Sequence, residues 1–157
     1  MKLTFLGADH EVTGSCHYLC VGDKNILIDC GMEQGNDVYE NQELPIPASD
    51  VDYVLLTHAH IDHSGLIPLL YVNGFRGSIY CTEAPVQLCD IMLRDSAHIQ
   101  MFEAEWRNRK AKRSNGTLKE FIPLYDAKAV YEVMKQFVGV KYDEIINIDD
   151  KVSVRVK

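Results

Sequence analysis

Long apolar runs are absent from this sequence of 157 residues. No apolar stretch approaches the about 20 residues that a membrane-spanning helix requires. Met1 and Lys2 lead directly into a short predicted strand, so we expect no signal peptide. Internal repeats and low-complexity tracts are absent as well. These absences predict a soluble, cytoplasmic protein with no membrane partner, and the length predicts one domain.

Basic residues are fewer than acidic ones. The chain has 16 lysines and arginines against 23 aspartates and glutamates, a net charge of −7. Proteins that bind nucleic acid over a broad surface rely on clustered positive charge, so this composition argues against a general nucleic-acid binder. It does not exclude contact with nucleic acid through a local groove or through a part of the protein outside this sequence.

Paired cysteine motifs are also absent. The five cysteines are an odd number and none has C-x-x-C spacing. This pattern is typical of reduced, buried thiols in a cytosolic protein, and it excludes a disulfide-stapled scaffold. The five are Cys16, Cys20, Cys30, Cys81 and Cys89.

Histidine is scarce outside one short segment. Three of the six histidines, with one aspartate, occupy residues 58–63, directly after a predicted strand. In an extended segment His58 and His60 leave on the same face, so both can bind one ion. The following turn directs Asp62 and His63 to a second position. This ligand set predicts a metal site that prefers zinc, with iron or manganese as alternatives.

The spacing His58-x-His60-x-Asp62-His63 resembles the metal signature of the metallo-β-lactamase superfamily of hydrolases. Five further segments are similar to the amino-terminal part of its beta-CASP branch, which contains RNA- and DNA-processing nucleases. These segments are residues 5–8, 11–15, 28–31, 95–100 and 123–125. The resemblance implies an α+β fold with α/β-type layers, in which residues 1–157 form the amino-terminal portion of a four-layer αβ/βα sandwich.

The resemblance also implies a two-zinc hydrolase that cleaves phosphodiesters in single-stranded RNA or DNA. His58 and His60 would bind the first ion, and Asp62 and His63 the second. Asp62 would also orient or deprotonate the attacking water. Asp29 would lie behind the site and orient a liganding histidine. The alternative for Asp29 is a turn-forming residue before a glycine.

Histidine is lacking after His98, whereas the branch places a third histidine, a bridging aspartate and a further histidine downstream. We therefore expect the amino-terminal part of a longer enzyme, without the beta-CASP domain and the remaining metal motifs. Two donors per ion predict weak zinc binding and no nuclease activity for this chain alone. A homo-oligomer is left open, but a second copy would bring the same incomplete ligand set.

Two other functions remain as alternatives. A thioesterase of the glyoxalase II kind shares the metal signature, but residues 11–15 and 95–100 and the long predicted helix argue against it. A non-catalytic module with a vestigial metal site is favoured only by the missing ligands. Zinc stoichiometry and a comparison of RNA with a thioester substrate distinguish the three.

Hydrophobic periodicity predicts the elements between the motifs. Strands are expected at residues 2–6, 16–21, 26–28, 53–57, 78–81, 145–148 and 152–156, and a loop or short helix at 32–50. Helices are expected at residues 65–71, at 85–112, and from Asp126 as cap to Gly139. The strand at 53–57 is expected to be fully buried.

The long predicted helix carries an apolar stripe that we expect to face the core. Beside it, Asp95 and His98 fit either a buried hydrogen-bonded pair, which we favour, or a third metal ligand at His98. Residues 107–113 hold five positive charges in seven positions. That run fits a solvated helix end better than a phosphate-binding surface. The stripe consists of Leu88, Ile91, Met92, Ile99, Phe102 and Trp106.

Overall fold

The computed structural model describes residues 1–35, 41–113 and 120–157. The strands are β1 (Lys2–Gly7), β2 (Cys16–Val21), β3 (Lys24–Ile28), β4 (Tyr53–Leu55), β5 (Ser78–Thr82), β6 (Phe137–Val140), β7 (Ile145–Asn147) and β8 (Ser153–Arg155). The helices are α1 (Ile61–Ser64), α2 (Ile67–Val72), α3 (Glu83–Arg113) and α4 (Ala127–Met134), with a 3-10 turn at Ala48–Asp50. Part of the predicted loop, residues 36–40, lies outside the described residues.

The strands form one mixed sheet in sequence order, from β1 to β6. A tight turn at Gly22, with φ of +63°, joins β2 to β3, and β1, β2 and β3 are antiparallel. Strands β3 to β6 are parallel. Parallel neighbours need crossover connections, and α1 with α2, then α3 with α4, follow β4 and β5. Strands β7 and β8 form a separate hairpin.

The helices pack on one face of the sheet and form the core there. Leu27, Val54 and Ile79 of the central strands are fully buried, together with Leu93 of α3 and Val130 of α4. On the opposite face of β1, Leu3 and Phe5 are exposed. A sheet with helices on one side agrees with the predicted amino-terminal portion of an αβ/βα sandwich.

Strand β4 is shorter than predicted and is not buried on both faces. Val54 and Leu56 are buried, whereas Tyr53 and Leu55 are half-buried and Thr57 is exposed. Alternate side chains of a strand point to opposite faces, so only one set meets the helices. The prediction of a fully buried strand at 53–57 was therefore wrong.

Helix α4 begins as predicted and ends earlier. The Asp126 carboxylate accepts a hydrogen bond from Ala129 N at 2.8 Å, so the predicted cap is confirmed. The helix ends at Met134, and Phe137–Val140 pairs with β5 as β6 instead of extending the helix to Gly139. Pairing with a distant strand outweighs the local helical pattern at this position.

Helix α3 is present almost as predicted, but it is rotated relative to the expected orientation. The buried residues of α3 are mostly small: Cys89, Leu93, Ala97, Ala104 and Ala111. The predicted apolar stripe is largely exposed, with Ile91 at 67%, Phe102 at 62% and Trp106 at 55%. Cys89, Leu93 and Ala97 belong to the hydrophobic core, whereas most of the bulky residues of the stripe remain outside it. The prediction that the stripe faces the core was wrong.

Asp95 and His98 are both exposed on α3. A buried hydrogen-bonded pair is therefore excluded, because both side chains lie on the face of α3 that is exposed to solvent.

No helix within the described parts of the chain is long and apolar enough to cross a membrane.

Candidate metal centre

The predicted metal ligands lie between the end of β4 and the first turn of α1. His60 is the residue at the amino-terminal cap of α1, and Asp62 and His63 belong to that first turn. The rings of His58 and His63 are 4.0 Å apart between centroids. The structure thus brings all four predicted side chains to the carboxyl end of a parallel strand.

The donors are arranged as two pairs. Nε2 of His58 lies 3.1 Å from Nδ1 of His60. Two imidazole nitrogens that share a tetrahedral zinc, each at about 2.0–2.1 Å, are separated by about 3.3 Å. Nε2 of His63 lies 3.7 Å from Oδ2 of Asp62. Both pairs therefore fit a shared divalent ion with small side-chain adjustments.

Asp29 is the buried carboxylate behind these pairs. It is 2% exposed and lies directly after β3, beside the end of β4. It accepts hydrogen bonds from the Thr57 backbone N–H at 2.8 Å, the Thr57 hydroxyl at 2.9 Å and the Ser15 hydroxyl at 3.2 Å. Its Oδ2 also lies 2.7 Å from Nδ1 of His63. The carboxylate is thus satisfied by groups from three segments of the chain.

This network assigns the protonated nitrogens of two histidines. Nδ1 of His63 donates to Asp29, so its Nε2 carries the lone pair that a metal requires. The single Thr57 proton goes to Asp29, and Thr57 Oγ1 then accepts from Nδ1 of His58 at 3.0 Å. His58 is left with its lone pair on Nε2, the atom nearest His60. The tautomers follow from the hydrogen-bond network.

Burial favours the neutral form of His58. Partial desolvation lowers its pKa from the ordinary value of 6.5, and the neighbouring imidazoles of His63 and His60 lower it further. The carboxylates of Asp29 and Asp62 act in the opposite direction and are outweighed. A neutral imidazole is the form that binds a metal ion.

Backbone contacts lock the strand ends around the site. Ser15 N donates to Asp62 O, and Cys30 N donates to His63 O, both at 2.8 Å. Asp29 adopts φ of +61°, a left-handed conformation that these bonds maintain. A Cβ atom at Gly31 would lie 1.7 Å from the Asp62 carbonyl oxygen. Only glycine permits this approach of the two loops.

In the part of the chain that the structure describes, three or more donors do not meet in one group. Within residues 1–35, 41–113 and 120–157, no set of three histidine, cysteine, aspartate or glutamate side chains is arranged to hold an ion. His98, the alternative third ligand, is exposed on α3.

Comparison with known proteins identifies the family. The profile of the metallo-beta-lactamase superfamily matches residues 11–100, more than half of the chain. The chain belongs to the metallo-beta-lactamase superfamily. The matched region contains the complete histidine cluster and Asp29. The predicted resemblance to this superfamily is confirmed.

Similar members of this superfamily carry names from RNA metabolism. "Ribonuclease TTHA0252" of Thermus thermophilus is 44% identical over 100 residues, which are 63% of this chain and 23% of that protein. "Transcription termination factor FttA" of Methanosarcina mazei is 35% identical over 128 residues, 79% of this chain and 20% of the relative. "Probable RNase MJ4" of Methanocaldococcus jannaschii is 35% identical over 137 residues, 84% and 31% respectively. Relatives of this kind belong to the beta-CASP branch, as predicted.

The chain spans between a fifth and a third of the length of these relatives. Among solved structures, the subclass B3 metallo-beta-lactamase MEM-A1 from a soil metagenome library aligns with a TM-score of 0.50 at 17% identity. The alignment covers 94% of this chain and 46% of that one. At this identity the likeness shows the fold alone, and the predicted α+β fold class is confirmed.

Sequence reasoning missed two residues of the site, Thr57 and Ser15, which hydrogen-bond to Asp29. One signal for Thr57 was available. Asp29 and Thr57 each follow one of two neighbouring parallel strands, β3 and β4, and the carboxyl ends of parallel strands meet at one edge.

Proposed function

We propose that this chain is the amino-terminal part of a zinc-dependent hydrolase that cleaves phosphodiesters in single-stranded RNA. The observation that carries the proposal is the pair of donor sets, His58 with His60 and Asp62 with His63, held at the end of β4. The metallo-beta-lactamase membership supports hydrolysis. The names of the relatives, a ribonuclease among them, favour RNA as the substrate.

Zinc suits the donors better than the other common divalent ions. Three imidazoles and one carboxylate are the nitrogen and oxygen ligands that zinc prefers, whereas magnesium and calcium take oxygen alone. Bound zinc would supply Lewis acidity, which activates water at neutral pH and offsets charge on the phosphate oxygens. Iron and manganese accept similar ligands and are the alternatives to compare.

The protein residues have distinct roles in this proposal. His58 and His60 hold the first ion through Nε2 and Nδ1, and His63 and Asp62 hold the second. Asp62 also orients the attacking water and accepts its proton, a role within reach of a half-buried carboxylate beside the donors. Asp29 is a positioning residue because it acts through His63 and Thr57.

We also propose that residues 1–157 form only part of the catalytic domain, with the remaining ligands and the beta-CASP domain supplied by further sequence. The coverage of the relatives supports this view. Catalytic zinc normally has three protein ligands, and the structure offers two to each ion. We therefore expect weak zinc binding by this chain and no turnover of RNA.

Zinc titration of the 157-residue chain tests the site. Calorimetry should detect weak binding of two ions, and the double variant His58→Ala/His60→Ala should lose the first of them. A double variant His10→Ala/His98→Ala, at exposed positions outside the cluster, is the matched control and should bind as the parent does. A zinc stoichiometry that is unchanged by the loss of His58 and His60, or binding that is abolished by the loss of His98 alone, would contradict the proposed ligands.

Hydrolysis is tested with the longer protein that carries the remaining ligands. We expect cleavage of single-stranded RNA, a loss of at least about 1000-fold in Asp62→Asn, and no cleavage of a glutathione thioester. Preference for the thioester would favour the glyoxalase II alternative. Stable zinc binding without either activity would favour a non-catalytic module.

A further inference from the structure

The last three turns of α3 carry a mixed aromatic and basic face outside the metal centre. At 100° per residue, Phe102, Arg109, Lys110 and Arg113 all project within about 60° of Trp106. All five side chains are exposed, Phe102 at 62% and Trp106 at 55%. The face extends over about 16 Å of helix.

Four of these residues form a cleft. Trp106, Arg109, Lys110 and Arg113 line a depression of about 350 Å³. The Lys110 ammonium lies 5.4 Å from the centre of the Trp106 ring, over its face. Cations therefore border an indole that is itself open to solvent.

The other two basic residues of the run have different surroundings. The Arg107 guanidinium lies 4.5 Å from the Phe121 ring and 3.8 Å from the Glu103 carboxylate. Lys112 lines a second cleft with Asn108 and Phe121, which Arg109 also borders. The five basic residues of the segment 107–113 therefore have different surroundings. Those on the same face of α3 as Trp106 are Arg109, Lys110 and Arg113.

A favourable interaction with the helix dipole accounts for cations at this end of α3. It does not account for the exposed aromatic rings of Phe102 and Trp106 among them. The chain as a whole is acidic, at −7, so this face attracts anions against the net charge of the protein. Exposed rings with interleaved cations are the features that bind single-stranded nucleic acid.

We propose that this face of α3 binds single-stranded RNA outside the catalytic centre. Bases stack on Trp106 and Phe102, and Arg109, Lys110 and Arg113 contact successive phosphates. A single strand is required because the bases of a duplex are not free to stack on a side chain. The choice of RNA as the ligand rests on the proposed function, whereas the stacking face rests on the geometry of α3.

The test measures binding of a labelled oligouridine of about 12 nucleotides to the 157-residue chain by fluorescence anisotropy. EDTA is present, so neither metal binding nor hydrolysis contributes. Trp106→Ala should weaken binding about ten-fold, and Trp106→Phe should restore most of it because the ring is retained. Since Trp106 is the only tryptophan, its emission should also change when RNA binds.

The charge test uses two triple variants with the same change in net charge. Arg109→Gln/Lys110→Gln/Arg113→Gln removes the cations of this face. Lys128→Gln/Lys141→Gln/Arg155→Gln removes three exposed cations from other surfaces. Each phosphate contact contributes about 0.7 to the slope of log K against log salt. The parent and the second triple should show a slope of about −2, and the first triple should lose most of it.

Several results would overturn the proposal. Equal losses in the two triple variants would mean that net charge alone attracts RNA. Duplex RNA that binds as tightly as the single strand would exclude stacking. A stable dimer that Trp106→Ala dissociates would assign the face to a second copy of the chain. Failure of RNA cleavage by the longer protein, with binding to this face intact, would instead contradict the proposed function.

Discussion

At the scale of single residues, the Thr57 hydroxyl connects Asp29 to His58. We predict that Thr57→Val allows the proton of His58 to move between its two nitrogens, because Nδ1 loses its acceptor. Asp29 loses one hydrogen bond as well, which should destabilise the fold by about 1–3 kcal/mol. Long-range ¹H–¹⁵N spectra of the metal-free chain report the tautomer directly. Thr57→Ser keeps the hydroxyl and is the control, and an unchanged tautomer in the valine variant would contradict the assigned network.

Gly31 gives a second prediction at this scale. A Cβ atom there would lie 1.7 Å from the Asp62 carbonyl oxygen, so Gly31→Ala must push apart the two loops that carry Asp29 and Asp62. We expect a loss of about 3 kcal/mol or more in the free energy of unfolding, measured with urea.

Gly22→Ala is the matched control for Gly31→Ala. Gly22 has φ of +63° but nothing within 4 Å of a Cβ atom, so only the left-handed backbone conformation opposes alanine there. A cost of about 1 kcal/mol is expected. Equal losses in the two variants would show that the contact at Gly31 relaxes easily.

The spacing of residues along the chain predicted those residues of the site that lie within the short segment 58–63. His58, His60, Asp62 and His63 lie within six positions, so alternation along the strand and the following turn suffice to bring them together. The family resemblance added Asp29. Thr57 was missed because its partner is on a neighbouring strand, 28 residues away in sequence. Spacing along the chain does not reveal which residues of two neighbouring strands lie side by side.

At the scale of elements, the two faces of α3 allow a paired test of packing. Leu93 is fully buried and Ile91 is 67% exposed, although the two residues are only two positions apart on the same helix. Leu93→Ala should cost about 2–5 kcal/mol through loss of apolar contacts and the cavity that remains. Ile91→Ala should cost less than about 0.5 kcal/mol. Thermal and urea unfolding give both values, and a larger cost for Ile91 would restore the orientation expected from the apolar stripe.

Sequence patterns predicted the existence of α3 and α4 better than their orientation and extent. The stripe from Leu88 to Trp106 has the correct helical period, but side-chain size does not reveal which face meets the sheet. Cys89, Leu93 and Ala97 are the buried residues through which α3 joins the core. Strand β6 was missed because its hydrogen bonds go to β5, more than 50 residues earlier in the chain.

At the scale of the whole molecule, the family resemblance predicted the fold class, and the connections agree with it. Strands separated by helical segments can pair in parallel, and the tight turn at Gly22 makes β2 and β3 antiparallel, so the sheet is mixed and carries a helical layer. The helix-covered face of that sheet contains the apolar core, and four of the five cysteines are buried in it or at its edge. Burial of thiols in turn makes the stability of the whole chain depend on pH.

The buried thiols predict a loss of stability at alkaline pH. Burial raises the pKa of Cys81 to about 12 and that of Cys89 to about 11, from an ordinary value of 9.0. Above about pH 9 the unfolded chain releases these protons while the folded chain retains them, so stability falls as pH rises toward the folded values. At about pH 10.5 each thiol should cost about 2 kcal/mol relative to neutral pH. Buried tyrosines such as Tyr125, whose pKa is also raised from 10.0, add to the loss above about pH 10.

Urea unfolding at neutral pH and at about pH 10.5 measures this effect. Replacing Cys81 and Cys89 with alanine should lower the stability at neutral pH and reduce its further loss at alkaline pH. Cys20→Ala is the control, since Cys20 is only half-buried and should leave the pH dependence unchanged. The same burial predicts that Cys20 reacts first with a thiol reagent in the folded chain, because the reagent attacks an accessible thiolate. Rapid modification of Cys81 or Cys89 under native conditions would show that the helical layer over the sheet opens readily.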